Sequence, residues 1–215
     1  MTPIEVYQSV ERYGGVFSTT VCDIKAKCAQ FSACAQKSSS CVLDFDGAAQ
    51  TYRKEKKLQK TPPSVDAIAV DKDQSLLILI EKKTWSHFFS KPQKGASADL
   101  TSEAIAKVAT YDLQGKYSST REICEYISKV SDLFISLPHV FVFLTELSDL
   151  DSDPTGGFAT MLGDLAISSS IIDYEIQSKV AGAMKNHLKT VSCKRNRYLS
   201  CNQLDAFIDD PGKFD

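Results

Sequence analysis

No apolar run in the chain reaches the length of about 18 residues that a membrane-spanning helix needs. No membrane partner is therefore expected. The opening residues Met1-Thr2-Pro3-Ile4-Glu5 lack the charged-then-apolar order of a secretory signal, so a cytoplasmic location is expected. There is no internal repeat and no long low-complexity tract. A Gly-x-x-x-x-Gly-Lys-Ser/Thr phosphate loop is also missing, so any ATP-driven step has to come from a partner. Histidine is scarce: His87, His139 and His187 are all there are, and none forms a local signature with a cysteine. A cysteine nucleophile needs a paired base, so cysteine-protease chemistry is not expected.

Charge of one sign is lacking as well. The net charge is −2 and the isoelectric point is near 5.9. That excludes a surface coated in basic charge for indiscriminate nucleic-acid binding, but not a basic groove. Arg53, Lys54, Lys56, Lys57 and Lys60 form one basic cluster, Lys194-Arg195-Asn196-Arg197 another, and Lys91 and Lys94 lie between them in sequence. Each is read equally well as a solvated surface. The acid-rich stretch 146–153 would repel a nucleic acid and is expected to face away from one or to meet a partner.

Cysteine, by contrast, is plentiful, with seven residues. Cys22, Cys28, Cys34 and Cys41 lie close together, yet no two are separated by the two to four residues usual in structural zinc sites. Structural Zn²⁺ is thus possible on composition but not signalled by spacing, even if Cys193 and Cys201 joined in space. Disulfides need an oxidising compartment that nothing here indicates. Reduced thiols acting as small apolar packing residues are the expectation.

With 215 residues, 43% of them hydrophobic, the chain can build one substantial core. We read a short helix over 4–13 ended by Gly14-Gly15, a first strand over 16–22, and a helix over 47–60 capped by Asp44 or Asp46. Two strands at 65–71 and 75–85 follow as a hairpin. Residues 86–98 read as a loop beside the hairpin's end. Residues 99–134 are helix-like, with Ile123, Ile127, Val130 and Phe134 on one stripe and a bend possible at Gly115. Val140-Phe141-Val142-Phe143-Leu144 reads as a buried strand. A long connection over 151–171 precedes a helical stripe at Ile172, Ile176, Val180, Met184 and Leu188, and a short strand at 198–201 leads to a last small helix. The order helix, strand, strand, helix, strand predicts an α/β (α+β) fold with a central mixed sheet flanked by helices.

The hairpin carries the chemistry. Leu76-Leu77-Ile78-Leu79-Ile80 runs directly into Glu81-Lys82-Lys83. Strand side chains alternate, so Glu81 and Lys83 share a face. If Asp73-Gln74 form the loop, counting outward sets Asp66 opposite Glu81, with Ile68, Val70, Leu77 and Leu79 on the same face. Ala67, Ala69, Leu76, Ile78 and Ile80 fill the other. A loop one residue different puts Asp66 opposite Ile80 instead. Two carboxylates that close in a buried setting need a cation, a shared proton or a basic partner.

Asp66, Glu81 and Lys83 resemble the acid, acid and lysine of the PD-(D/E)XK phosphodiesterase superfamily, which includes many restriction and repair nucleases. The proline of that motif is not adjacent to Asp66: Val65 takes its place and Pro62-Pro63 lie upstream. The resemblance covers residues 42–146. It implies a restriction-endonuclease-like core there, within a single domain 1–215 that has a cysteine-containing segment at 1–41 and a helical extension at 147–215. It further implies a metal-dependent nuclease acting on DNA, such as the effector of a bacterial restriction or anti-phage system working with a protein partner or as a homo-oligomer. Asp66 and Glu81 would hold Mg²⁺ or Mn²⁺, with Glu55 either a further ligand or a surface glutamate. Lys83 would orient water or stabilise charge on the phosphoryl group. Gln114 and Lys116 on the following helix, and Lys82 beside the motif, would contact substrate. The competing expectations are a non-catalytic binding or assembly module that keeps the fold and uses the same residues as an ion network, and a zinc-stabilised interaction domain built on the N-terminal cysteines.

Overall fold

The structure, a computed structural model, describes residues 1–24, 38–85, 97–145 and 170–214, with the side chains of 97–100 and 170–175 left aside. It is an α+β fold built on a six-stranded mixed sheet in the order β1-β2-β3-β4-β5-β6. The strands are β1 (Ser18–Thr20), β2 (Cys41–Asp44), β3 (Ala67–Val70), β4 (Leu77–Lys83), β5 (His139–Thr145) and β6 (Asn196–Ser200). The first four pair antiparallel, and β4, β5 and β6 run parallel. Parallel neighbours need long crossovers. Helices α3 (Ser97–Ala109), α4 (Leu113–Ser128) and α5 (Leu133–Ser136) lie between β4 and β5, and α6 (Ser170–Leu188) lies between β5 and β6. The chain opens with α1 (Pro3–Arg12), carries α2 (Phe45–Glu55) between β2 and β3, and ends with α7 (Gln203–Asp209) and a 3₁₀ turn at Pro211–Phe214.

The central strands are buried on both faces, which is why β4 reads as an unbroken apolar run. One face, with Leu43, Ile68, Leu77, Leu79, Phe141 and Phe143, packs under residues of α1, α2, α4 and α6. The other, with Val42, Ala67, Ala69, Ile78, Ile80 and Val142, meets Val21, Ile24, Leu204 and Phe207. Alternation along the hairpin therefore sorts residues as expected from sequence. The hairpin turn is set by Asp71, whose carboxylate accepts from the Ser75 and Leu76 N–H groups, each at 2.7 Å. Gln74 takes a left-handed conformation at φ 57°.

Several boundaries differ from the sequence reading. Strand β2 was not expected, because Cys41-Val42-Leu43-Asp44 offers only two apolar positions and its last residue doubles as the cap of α2. Helix α2 stops at Glu55, where Lys57 turns left-handed at φ 54°, rather than continuing to 60. The helix-like stretch expected over 99–134 is three helices, with breaks at 110–112 and 129–132 and none at Gly115. Asp112 caps α4 by accepting the Gly115 N–H at 2.8 Å. A Cβ on Gly115 would lie 2.1 Å from the Asp112 carboxylate, so the glycine makes room for the cap. Within the stretch expected as a helical extension, the short strand expected at 198–201 is β6 (Asn196–Ser200), and it forms a sheet edge. The proposed loop at 86–98 falls mostly outside the described residues, as do the acid-rich stretch 146–153 and most of 151–171.

Candidate active site

Asp66 and Glu81 are fully buried and meet at one end of the sheet. The regular ladder ends where Ala67 pairs with Ile80. At that last step the Asp66 N–H bonds to the Ile80 carbonyl at 2.9 Å, so the strand pair opens at the acid. The Asp66 carboxylate turns across the gap and accepts the Lys82 backbone N–H at 2.8 Å. This end of the sheet is where the parallel strands β4, β5 and β6 present their carboxyl termini, the edge at which open α/β sheets bind ligands.

Two lysines close the pair. Lys83, two residues on from Glu81 and so on the same face, bonds to one Glu81 oxygen. Lys116, on the second turn of α4, reaches the other oxygen at 2.7 Å and Asp66 at 3.7 Å. It also donates to the Ser64 carbonyl at 3.0 Å. Both lysine side chains keep about a fifth of their surface exposed, while the acids keep none. Burial, and then the Asp66 charge, push Glu81 above the ordinary carboxylate range; Lys83 and Lys116 pull it back. Four charged side chains thus meet at one point, with the acids inside and the ammonium groups outside.

The mounting of this group follows from sequence spacing. Thr120 stands one turn after Lys116 on α4, and its buried hydroxyl accepts the Val65 N–H at 3.0 Å. Helix α4 is thereby fastened to the residues just before Asp66, while its buried Leu113, Tyr117, Ile123 and Cys124 anchor it in the core. The Phe45 N–H at the start of α2 donates to the Asp66 carbonyl at 3.0 Å. Lys83 lies 5.2 Å from the centre of the Tyr111 ring, a cation–π contact. In the last row of the parallel strands Lys83 aligns with Thr145 and Ser200, both buried. Tyr111, Thr120, Thr145 and Ser200 were not singled out from sequence. Tyr111 sits in a short interhelical link that carries no periodicity, and the other three depend on strand register or helix phase.

The structure gathers Asp66, Glu81, Lys83 and Lys116, and leaves three proposed site residues elsewhere. Lys82 projects from the opposite face, as strand alternation requires, and its ammonium donates to the carbonyls of Val21, Cys22 and Ile24 at 2.6, 3.3 and 3.4 Å. Gln114 is tied to Ser192, accepting its N–H at 2.7 Å and donating to its hydroxyl at 3.0 Å. Glu55 ends α2, ten residues past the end that touches Asp66, or about 15 Å along a helix. It accepts the Tyr13 hydroxyl at 2.6 Å instead. As a metal ligand for this site it is displaced by helix length alone.

A divalent metal of the kind the resemblance implies fits the oxygen donors present. Mg²⁺ is commonly held by one or two carboxylates together with waters and substrate phosphates. Asp66 and Glu81 supply two, and a strongly desolvated acid pair is stabilised by an added cation. Among the described residues no cluster of three or more His, Cys, Asp or Glu is arranged to hold a metal. Zinc finds no such set there. Cys193 belongs to the core on one face of the sheet and Cys201 to the core on the other, so the two cannot share one ion. Cys22, Cys41, Cys124 and Cys193 are free thiols; Cys28 and Cys34 lie outside the described residues. Of the histidines, His139 is buried, with Nδ1 donating to the Leu137 carbonyl and Nε2 accepting the Tyr117 hydroxyl, both at 2.7 Å. His187 donates to the Tyr111 carbonyl at 2.6 Å. His87 is outside the described residues. Among the described residues no helix is long and apolar enough to cross a membrane.

No protein-family model, no curated protein and no solved structure matches this chain.

Proposed function

We propose that the protein is a metal-dependent nuclease that hydrolyses phosphodiester bonds of DNA, built on a restriction-endonuclease-like core. The observation that carries this reading is the meeting of two fully buried carboxylates with Lys83 and Lys116 at the carboxyl-terminal edge of the parallel strands. Asp66 and Glu81 would hold Mg²⁺ or Mn²⁺, which supplies Lewis-acid stabilisation of the phosphate and a more acidic water. Asp66 is oriented for this by the Lys82 N–H, which fixes one carboxylate oxygen. Lys83 places its ammonium where negative charge builds on the phosphoryl oxygens or where the attacking water lies. Lys116 presents the second ammonium and binds the phosphate beside the scissile bond. Tyr111 packs under Lys83 and limits the positions its flexible stem can take.

The modest overall charge gives little non-specific grip on DNA. Recognition is therefore assigned to a protein partner or a second copy, as for the effector of a bacterial restriction or anti-phage system acting in the cytoplasm. A second reading rests on one observation: both Glu81 oxygens are already engaged by lysines. In that reading the four residues are a self-neutralised ion network in a non-catalytic assembly module.

The test is cleavage of plasmid and linear DNA with Mg²⁺, with Mn²⁺ and with EDTA, alongside calorimetric titration of each metal. Metal-dependent cutting supports the nuclease. Absence of both cutting and metal binding, with partner binding retained, supports the ion network.

A further inference from the structure

A cavity of about 760 Å³ opens where the ends of α2 and α4 come together, away from the acid pair. Among the described residues Glu55, Glu122, Glu125 and Asp132 line it with two lysines, Lys56 and Lys129, and Arg121 stands 4.0 Å from Glu125. Helix α2 ends at Glu55 with Lys56 as its cap, and α4 ends at Ser128 with Lys129 as its cap. Two helix carboxyl termini, each carrying partial negative charge, thus add to an acidic wall.

The aromatic residues of this wall are arranged with the acids. Tyr13 donates to Glu55 and Tyr52 to Glu122, each at 2.6 Å. The rings of Tyr52 and Tyr126 pack edge to face with centroids 5.1 Å apart. One cation already uses this surface: the Lys56 ammonium sits 4.3 Å from the centre of the Tyr126 ring and 6.0 Å from that of Tyr52. Lys56 is exposed, on a flexible stem at a helix end, and its contact is weak enough to exchange.

We propose that this cavity binds an organic cation, an ammonium or guanidinium group on an alkyl chain, which displaces Lys56 from the Tyr126 ring. The acids and helix ends supply the attraction, and the tyrosine faces select a cation carried on carbon over a hydrated inorganic one. The source is either a free polyamine or a lysine- or arginine-bearing segment of a partner.

Titration of the full chain with spermidine and, separately, with a short arginine-rich peptide tests this, at low and at moderate salt. Binding by either probe is expected, and the arm that binds more tightly identifies the source. Lys56→Gln should tighten binding and Tyr126→Leu should weaken it, each by about two- to fivefold. Tyr126→Phe keeps the ring and should retain most of the affinity, which separates loss of the site from misfolding. No binding of either probe to the wild type and to Lys56→Gln overturns the proposal. Binding that is equal in Tyr126→Leu also overturns it, because the attraction would then be diffuse surface charge.

Discussion

Lys82 and Lys83 are adjacent in one strand and carry the same charge, yet they sit in two opposite kinds of surroundings. Lys82 is buried on the side of β4 that faces the 21–24 turn, and three backbone carbonyls surround its ammonium. Lys83 is on the other side, partly exposed, against Glu81 and the Tyr111 ring. The carbonyl partners of Lys82 cannot move without unmaking a turn, so that lysine holds structure. On the proposed nuclease reading, the partners of Lys83 are a carboxylate that a metal would take over and an aromatic ring that a cation can leave, so that lysine would be available for chemistry. Charge does not separate the two; burial and the kind of partner do.

The largest effect that would test this contrast is catalytic. Asp66→Ala, Glu81→Ala and Lys83→Ala should each lower cleavage by about a hundred- to a thousandfold, the scale of losing one transition-state donor. Lys83→Ala should melt near the wild type, whereas Asp66→Ala also removes the acceptor of the buried Lys82 N–H and should melt lower. Plasmid nicking and thermal denaturation measure the two. Lys82→Met should do the reverse. Leaving three carbonyls without their shared donor should destabilise the fold by about 2–3 kcal/mol in urea unfolding, while cleavage per folded molecule stays close to wild type.

A smaller effect is expected where α4 is fastened to Asp66. Thr120→Val removes the acceptor of the buried Val65 N–H and should cost about 1–2 kcal/mol. It should reduce cleavage only in part. If cleavage is untouched, the fastening of α4 does not position the acid pair.

The smallest effect belongs to the far face, at Asp205. Burial works to raise the pKa of its carboxylate, but hydrogen bonds from Ser38, Ser40 and Ser39 outweigh that and hold it at about 2. A depressed folded pKa stabilises above the ordinary value, 3.8 for this group, and that stability fades as pH falls towards about 2. Asp205→Asn should therefore be less stable than wild type at neutral pH, by a margin that solvent screening keeps small. The gap should shrink on acidification between those values. A gap independent of pH would mean that the serine bonds carry no charge-dependent stability.

How much of this was legible in the sequence follows from the same alternation. The two faces of the hairpin and the sharing of a face by Glu81 and Lys83 come from a period of two, which needs no tertiary information. The same rule places Lys82 on the far side, and naming it a substrate contact gave sequence proximity too much weight. Lys116 was legible as a polar residue on the following helix. Gln114, two residues earlier, lies on another side of that helix and meets Ser192. Of the two readings of Glu55 the surface glutamate fits: it is exposed and lies ten residues along α2 from the end that touches Asp66. The division of 99–134 was hidden because Asp112, the actual cap, was overshadowed by Gly115. Strand β2 is too short to show a period at all. Fold class and the core of the candidate site depended on local pattern; the supporting contacts depended on which turns of which helices meet, and no local pattern encodes that.

The most direct measurement sets the two neighbouring lysines against each other. Wild type, Lys83→Ala and Lys82→Met, each checked for folding by circular dichroism, are assayed on supercoiled DNA with Mg²⁺ and with EDTA. The account predicts Mg²⁺-dependent cutting by the wild type and by Lys82→Met, and its loss in Lys83→Ala. Cutting by Lys83→Ala at the wild-type rate, or cutting that persists in EDTA, would contradict it.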